Sequence, residues 1–126
     1  MKSGLKTGVR HKSLRRINES HTITFEGLPP VLATPFLVWL LEETAMELIQ
    51  PFLEDEELTV GTSVEIEHQG AALIGDDVTF SATVVQIDGR DLLFRVDATL
   101  EGKTISKGLH RRKLVSRPKL LQKLTR

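Results

Sequence analysis

Cysteine is absent from the 126 residues, so there is neither a disulfide framework nor a thiolate metal site. An excess of either charge is also missing: 17 lysines and arginines balance 17 aspartates and glutamates, and nothing in that balance asks for nucleic acid or an anionic surface as partner. The longest apolar stretch is broken by Glu42 and Glu43, short of the roughly 20 residues a membrane span requires. The opening MKSGLKTGVRHK has no apolar run to serve as a secretion signal. There is no internal repeat, phosphate loop or dinucleotide fingerprint, and His11, His21 and His110 fall into no metal-ligand spacing. What remains is the expectation of a soluble cytoplasmic protein, one domain over residues 1–126.

Two segments are strongly patterned. Residues 36–50 read as a helix at about 100° per residue. Around Glu42 on that wheel lie Val38, Ala45, Met46 and Ile49, with Leu37, Leu41 and Leu48 extending the arc, while Glu43, Thr44, Glu47 and Gln50 collect opposite. Glu42 is therefore expected to point into a core, which is costly for a carboxylate unless it is paired or used. Thr34 before Pro35 reads as an N-cap with proline at the first helical position, and Pro51 should stop the helix.

The second segment, TVGTSVEIEHQG at 59–70, alternates, placing Val60, Thr62, Val64, Ile66 and His68 on one face and Gly61, Ser63, Glu65 and Glu67 on the other. A carboxylate and an imidazole on consecutive elements, both directed inward, suggest an acid–base pair between Glu42 and His68. A histidine on such a face is otherwise an ordinary core or interface residue, as Trp39 and the helix leucines are.

The remaining elements follow from alternation and turns. A basic strand is expected near 9–17, at an edge or an exposed face. The Pro-rich stretch 26–35 is a connection and Glu54–Glu57 an acidic loop. Strands follow at 77–88, 90–100 and 103–115, joined by turns at Asp88-Gly89 and Glu101-Gly102. One central helix followed by an antiparallel meander is an α+β layout in which the sheet must wrap the helix. A single such unit leaves a sheet edge open, which predicts a homodimer, with a dimer of dimers as the alternative. The basic run Lys107, His110, Arg111, Arg112, Lys113, Arg117 and Lys119 is either a solvated face or a surface for phosphates.

Three runs carry a resemblance: VLATPFLVWLLEETAMELIQPFLE at 31–54, GTSVEIEHQGAAL at 61–73 and GLHRRKL at 108–114. They are similar to stretches of the small hotdog-fold thioesterases related to fluoroacetyl-CoA thioesterase, over about residues 25 to 115. The resemblance implies a hotdog fold, an active site of Thr34, Glu42 and His68, a Gly61 backbone close to the substrate carbonyl, and a role for Arg112. It implies no cofactor beyond the coenzyme A of an acyl-CoA substrate, and no metal. Phe25 and Leu28 fall in the region of the family's aromatic lid, where Leu28 stands in place of a second phenylalanine, a departure from the fluoroacetyl-selective pattern. Hydrolysis of a small acyl-CoA thioester is thus the leading expectation, with Glu42 as nucleophile or as general base on water. A hydratase or dehydratase of acyl thioesters, and a non-catalytic acyl-CoA-binding module, are the alternatives.

Overall fold

A computed structural model describes residues 1–125. Strand β1 (Arg10–Arg16) is followed by a small hairpin, β2 (Thr22–Ile23) and β3 (Val31–Leu32), and by helix α1 (Thr34–Ile49). Strands β4 (Glu57–His68), β5 (Asp77–Asp88), β6 (Asp91–Leu100) and β7 (Lys103–Ser116) come next, and a short helix α2 (Arg117–Leu124) ends the described chain. Strands β1, β5, β6, β7 and β4, in that order, form one antiparallel sheet. The meander rests on two tight turns. Leu100 pairs with Lys103, and both residues between them, Glu101 and Gly102, have positive φ as a type I′ turn demands.

The α+β layout is as expected, with α1 lying against β5, β1, β6 and β4. Leu37, Leu41, Ala45, Leu48 and Ile49 of the helix meet Val78, Phe80, Ala82, Phe94 and Val96 of the sheet in one core. Each large apolar side chain buried there contributes on the order of 2 kcal/mol. On the solvent side Arg15 of β1 bonds Glu43 at 2.9 Å, and His11 lies 3.6 Å from Glu47, so the basic strand answers the acidic face of the helix. Among the described residues no helix is long and apolar enough to cross a membrane.

Two expectations for the helix need correction. Its buried arc includes Leu40 and Thr44 and leaves Met46 exposed, so the arc centres near Leu41 and Leu48, about 100° from Glu42. Thr44 is tolerated inside because its hydroxyl donates to the Leu40 carbonyl at 2.8 Å. Glu42 therefore sits at the margin of the core, its side chain 26% exposed. Ala33, not Thr34, occupies the N-cap position, and no side chain caps this end of the helix. The Thr34 hydroxyl is left free for another partner.

Candidate active site

Strand β4 departs from strict alternation at one point. Its pairing with β7 runs Leu58 to Val115, Thr59 to Leu114, Val60 to Lys113 and Gly61 to Arg112, then resumes with Ser63 opposite Arg111 and Val64 opposite His110. Thr62 is the extra residue of a β-bulge, and an extra residue inverts the alternation beyond it. Thr59 and Gly61 before the bulge consequently face the same way as Val64, Ile66 and His68 after it. The expected separation of Gly61 from His68 is overturned: both lie on the side of the sheet that α1 covers.

On that inner side two hydrogen-bonded groups form. In the first, Thr34 Oγ1 lies 2.7 Å from His68 Nδ1, the imidazole tautomer setting which of them donates. The second centres on Arg112, only 3% exposed. Its Nε donates to Thr59 Oγ1 and its Nη2 to the Thr59 carbonyl, both at 2.8 Å, while Nη1 lies 3.1 Å from His110 Nε2 and 3.4 Å from Glu42 Oε2. Burial lowers the Arg112 pKa and the Glu42 carboxylate opposes that shift. The direct Glu42–His68 pairing expected from the sequence is not made; each group has another partner, Arg112 for one and Thr34 for the other.

Gly61 lies between Glu42 and Arg112. A Cβ built on it would lie 3.2 Å from Glu42 Oε2 and 3.3 Å from His110 Cε1, both closer than ordinary contact, and 3.4 Å from Arg112 Nη1. The missing side chain is what lets the β4 backbone lie this close to the carboxylate.

His110 is the member of the site that the sequence did not single out beyond its place in the basic run. It is 1% exposed, its ring 6.4 Å from that of Phe94, and its Nδ1 donates to the Ser63 carbonyl at 2.9 Å. Its pKa is lowered, first by burial; the Ser63 bond opposes, Arg112 adds to the lowering, and Glu42 opposes again. The available signal was parity, since His110, Arg112 and Leu114 share one face of β7 while Lys107, Arg111 and Lys113 point outward and are exposed. The basic run is thus split between a solvated face and the site.

Phe25 and Leu28 belong to neither group. They are the two ends of one β-turn between β2 and β3, closed by Leu28 N–H to the Phe25 carbonyl at 3.0 Å with Gly27 at φ +80°. Both side chains are exposed, at 52% and 60%, on a hairpin whose second strand runs directly into Thr34. The His21 ring, just ahead of β2, packs at 6.2 Å and a 54° tilt against Phe36 and ties the hairpin to the helix start.

Known proteins share this arrangement of elements. The family model for fluoroacetyl-CoA-specific thioesterases matches residues 17–118. The fluoroacetyl-CoA thioesterase of Streptantibioticus cattleyicolor is 32% identical over 124 residues, covering 91% of this chain and 88% of that protein. A solved structure of the fluoroacetyl-CoA thioesterase FlK superposes with a TM-score of 0.90 at 28% identity, over 97% of this chain and 96% of the other. A hot-dog-like protein from Thermanaerovibrio acidaminovorans shares the fold at 24% identity, with a TM-score of 0.86 over 94% and 89% of the two chains. The chain belongs to the fluoroacetyl-CoA-specific thioesterase family and is a thioesterase of the hotdog fold.

Proposed function

We propose that the protein hydrolyses a small acyl-CoA thioester to the free acid and coenzyme A, with Glu42 driving acyl transfer beside Gly61. The observation that carries this reading is a carboxylate at the core margin, bonded to a buried arginine on one side and facing a residue without a side chain on the other. A thioester is already activated, so the reaction needs a nucleophile or base, a donor for the developing oxyanion and a proton for the thiolate. Glu42 supplies the first, attacking the carbonyl or taking the proton of the attacking water. The Gly61 backbone would approach the carbonyl, and the Thr34–His68 pair, bonded at 2.7 Å, would position substrate and deliver the proton. This chemistry calls on no metal or cofactor.

A homodimer acting in the cytoplasm completes the reading. Among the described residues the outer edge of β4 has no strand beside it, Gly61 to Glu65 along it are exposed, and Thr34 is exposed at the helix start. A second copy paired along β4 would remove that edge and enclose both groups. Phe25 and Leu28, exposed on their turn, are the proposed acyl-facing lid residues. With leucine where the fluoroacetyl-selective pattern has phenylalanine, the substrate range should extend beyond fluoroacetyl-CoA.

The test is thiol release from a panel of short, branched, aromatic and halogenated acyl-CoAs, with Glu42→Gln in parallel. The variant should stay folded and lose about 10²-fold or more of kcat. Full activity in Glu42→Gln would remove Glu42 from the mechanism, and binding without hydrolysis across the panel would overturn the thioesterase reading.

A further inference from the structure

His110 stands behind the site and has no place in the acyl-transfer steps, yet its two ring nitrogens join the β4 bulge to the arginine that holds Glu42. A carbonyl oxygen can only accept, so the 2.9 Å contact from Nδ1 to the Ser63 carbonyl requires the proton on Nδ1. A neutral ring then has a lone pair on Nε2, which faces Arg112 Nη1 at 3.1 Å. Nη1 carries two hydrogens, one for His110 and one for Glu42. With Nε and Nη2 already engaged by Thr59, the guanidinium plane has no remaining freedom.

We propose that His110 is a positioning residue for hydrolysis: held in the Nδ1–H tautomer by the Ser63 carbonyl, it accepts a hydrogen bond from Arg112 and thereby fixes the guanidinium against Glu42. The proposal rests on Glu42 as the catalytic carboxylate. The charged groups facing the ring are Arg112 from β7 and Glu42 from α1; β4 presents Ser63 and β6 presents Phe94, both uncharged. Protonation would turn Nε2 from an acceptor into a donor aimed at another donor and would release Nη1. The requirement is therefore for an acceptor at the Nε2 position rather than for a charge, which separates His110 from a general acid or base.

Two variants and one spectroscopic measurement test this. Glutamine can offer its amide oxygen near the Nε2 position, whereas phenylalanine keeps the ring shape and offers nothing. His110→Phe should lose about tenfold to a hundredfold in kcat with little change in KM, the scale of loss that a displacement of about 1 Å causes. His110→Gln should recover most of it and should lose the acid fall in kcat that protonation of the wild-type ring produces. Nitrogen NMR of the wild-type imidazole should show the neutral Nδ1–H tautomer from about pH 6.5 to 8, and the Arg112 Nη resonances should stay resolved in wild type and His110→Gln but average in His110→Phe. A charged ring or an Nε2–H tautomer at neutral pH would overturn the proposal even if neither variant folded. So would wild-type kcat in His110→Phe, with the thioesterase reading intact. If wild type released no thiol, that reading would fail, and the tautomer and guanidinium signals would still decide whether His110 fixes Arg112.

Discussion

Arg112→Met removes the charge at the centre of the site while keeping most of the buried stem, and its cost can be worked from the contacts. The guanidinium makes two 2.8 Å bonds to Thr59, one 3.1 Å contact to His110 and one 3.4 Å contact to Glu42. Hydrogen bonds to charged groups contribute about 1.5 to 3 kcal/mol each, and breaking a buried ion pair on one side costs about 3 to 5 kcal/mol. Glu42, with its side chain 26% exposed, keeps partial contact with water, so its share falls towards the surface value of about 1 kcal/mol or less. Against these stands the relief of no longer burying a guanidinium, the same desolvation that lowers the Arg112 pKa. The balance is a loss of about 2 to 4 kcal/mol, or on the order of 10 °C in Tm for a chain of this size. Urea unfolding at one fixed protein concentration measures it directly, and an unchanged slope shows that stability rather than compactness has moved. Thiol release should fall at least about tenfold as Glu42 loses its anchor. A midpoint unchanged or raised in Arg112→Met would refute the reasoning, because it would mean that desolvation matches or outweighs all four contacts, as in proteins whose buried ion networks are replaced by apolar residues without loss.

Thr34→Val keeps the shape and removes only the hydroxyl bonded to His68; since that hydroxyl does not cap α1, stability should shift by less than about 1 kcal/mol while kcat falls about tenfold or more, and a large loss of Tm with kcat retained would make the hydroxyl structural. Gly61→Ala places a methyl group 3.2 to 3.4 Å from Glu42, His110 and Arg112, which should cost about 1 to 3 kcal/mol and about a hundredfold in kcat/KM; near-normal kinetics would show that Glu42 can swing away without loss. His110, its pKa lowered chiefly by burial, binds fewer protons folded than unfolded just below its ordinary pKa of about 6.5. Its contribution to stability is thus complete above that pH and is lost as pH falls towards the folded-state pKa, at no more than about 1.4 kcal/mol per pH unit. Urea midpoints between about pH 6.5 and 5 should consequently fall less steeply in His110→Gln, and parallel slopes would show a ring that titrates normally.

The helix and the four long strands were legible because their evidence is local. Apolar period, Pro35, Pro51 and the turns at Asp88-Gly89 and Glu101-Gly102 act within a few residues, and the strands at 77–88 and 103–116 lie where alternation put them. The β2–β3 hairpin has two-residue strands, too short to alternate visibly, and α2 is eight residues long and buries none of its side chains, so neither adds to the core-facing pattern from which the other elements are read. The tilt of the helix arc is hidden for a different reason. Thr44 looks polar but satisfies itself on the Leu40 carbonyl, and Met46 looks apolar but faces outward, so a wheel drawn from residue type alone turns the buried face towards Glu42.

The bulge explains why the site was half legible. Glu42 and His68 could be found by type and spacing, because each stands out within its own element, whereas Thr34 reads there only as an N-cap and joins them through the family resemblance. The contacts that Arg112 and His110 make were not legible, Arg112 being marked only by the resemblance, because both reach the site through pairing with a strand about fifty residues earlier in the chain. A bulge is invisible to a period of two, and reading β4 in one phase forces a choice between Gly61 inward and His68 inward. Resolving that conflict requires an extra residue somewhere between 61 and 68, and Thr62 is that residue. The same insertion sets Ser63, whose carbonyl fixes the His110 tautomer, directly beside the irregularity. One unpaired residue on an edge strand thus opens the space at Gly61, keeps His68 facing Thr34 and aims the acceptor that orders His110 and Arg112. The local irregularity that made the strand hard to read is the feature on which the site is built.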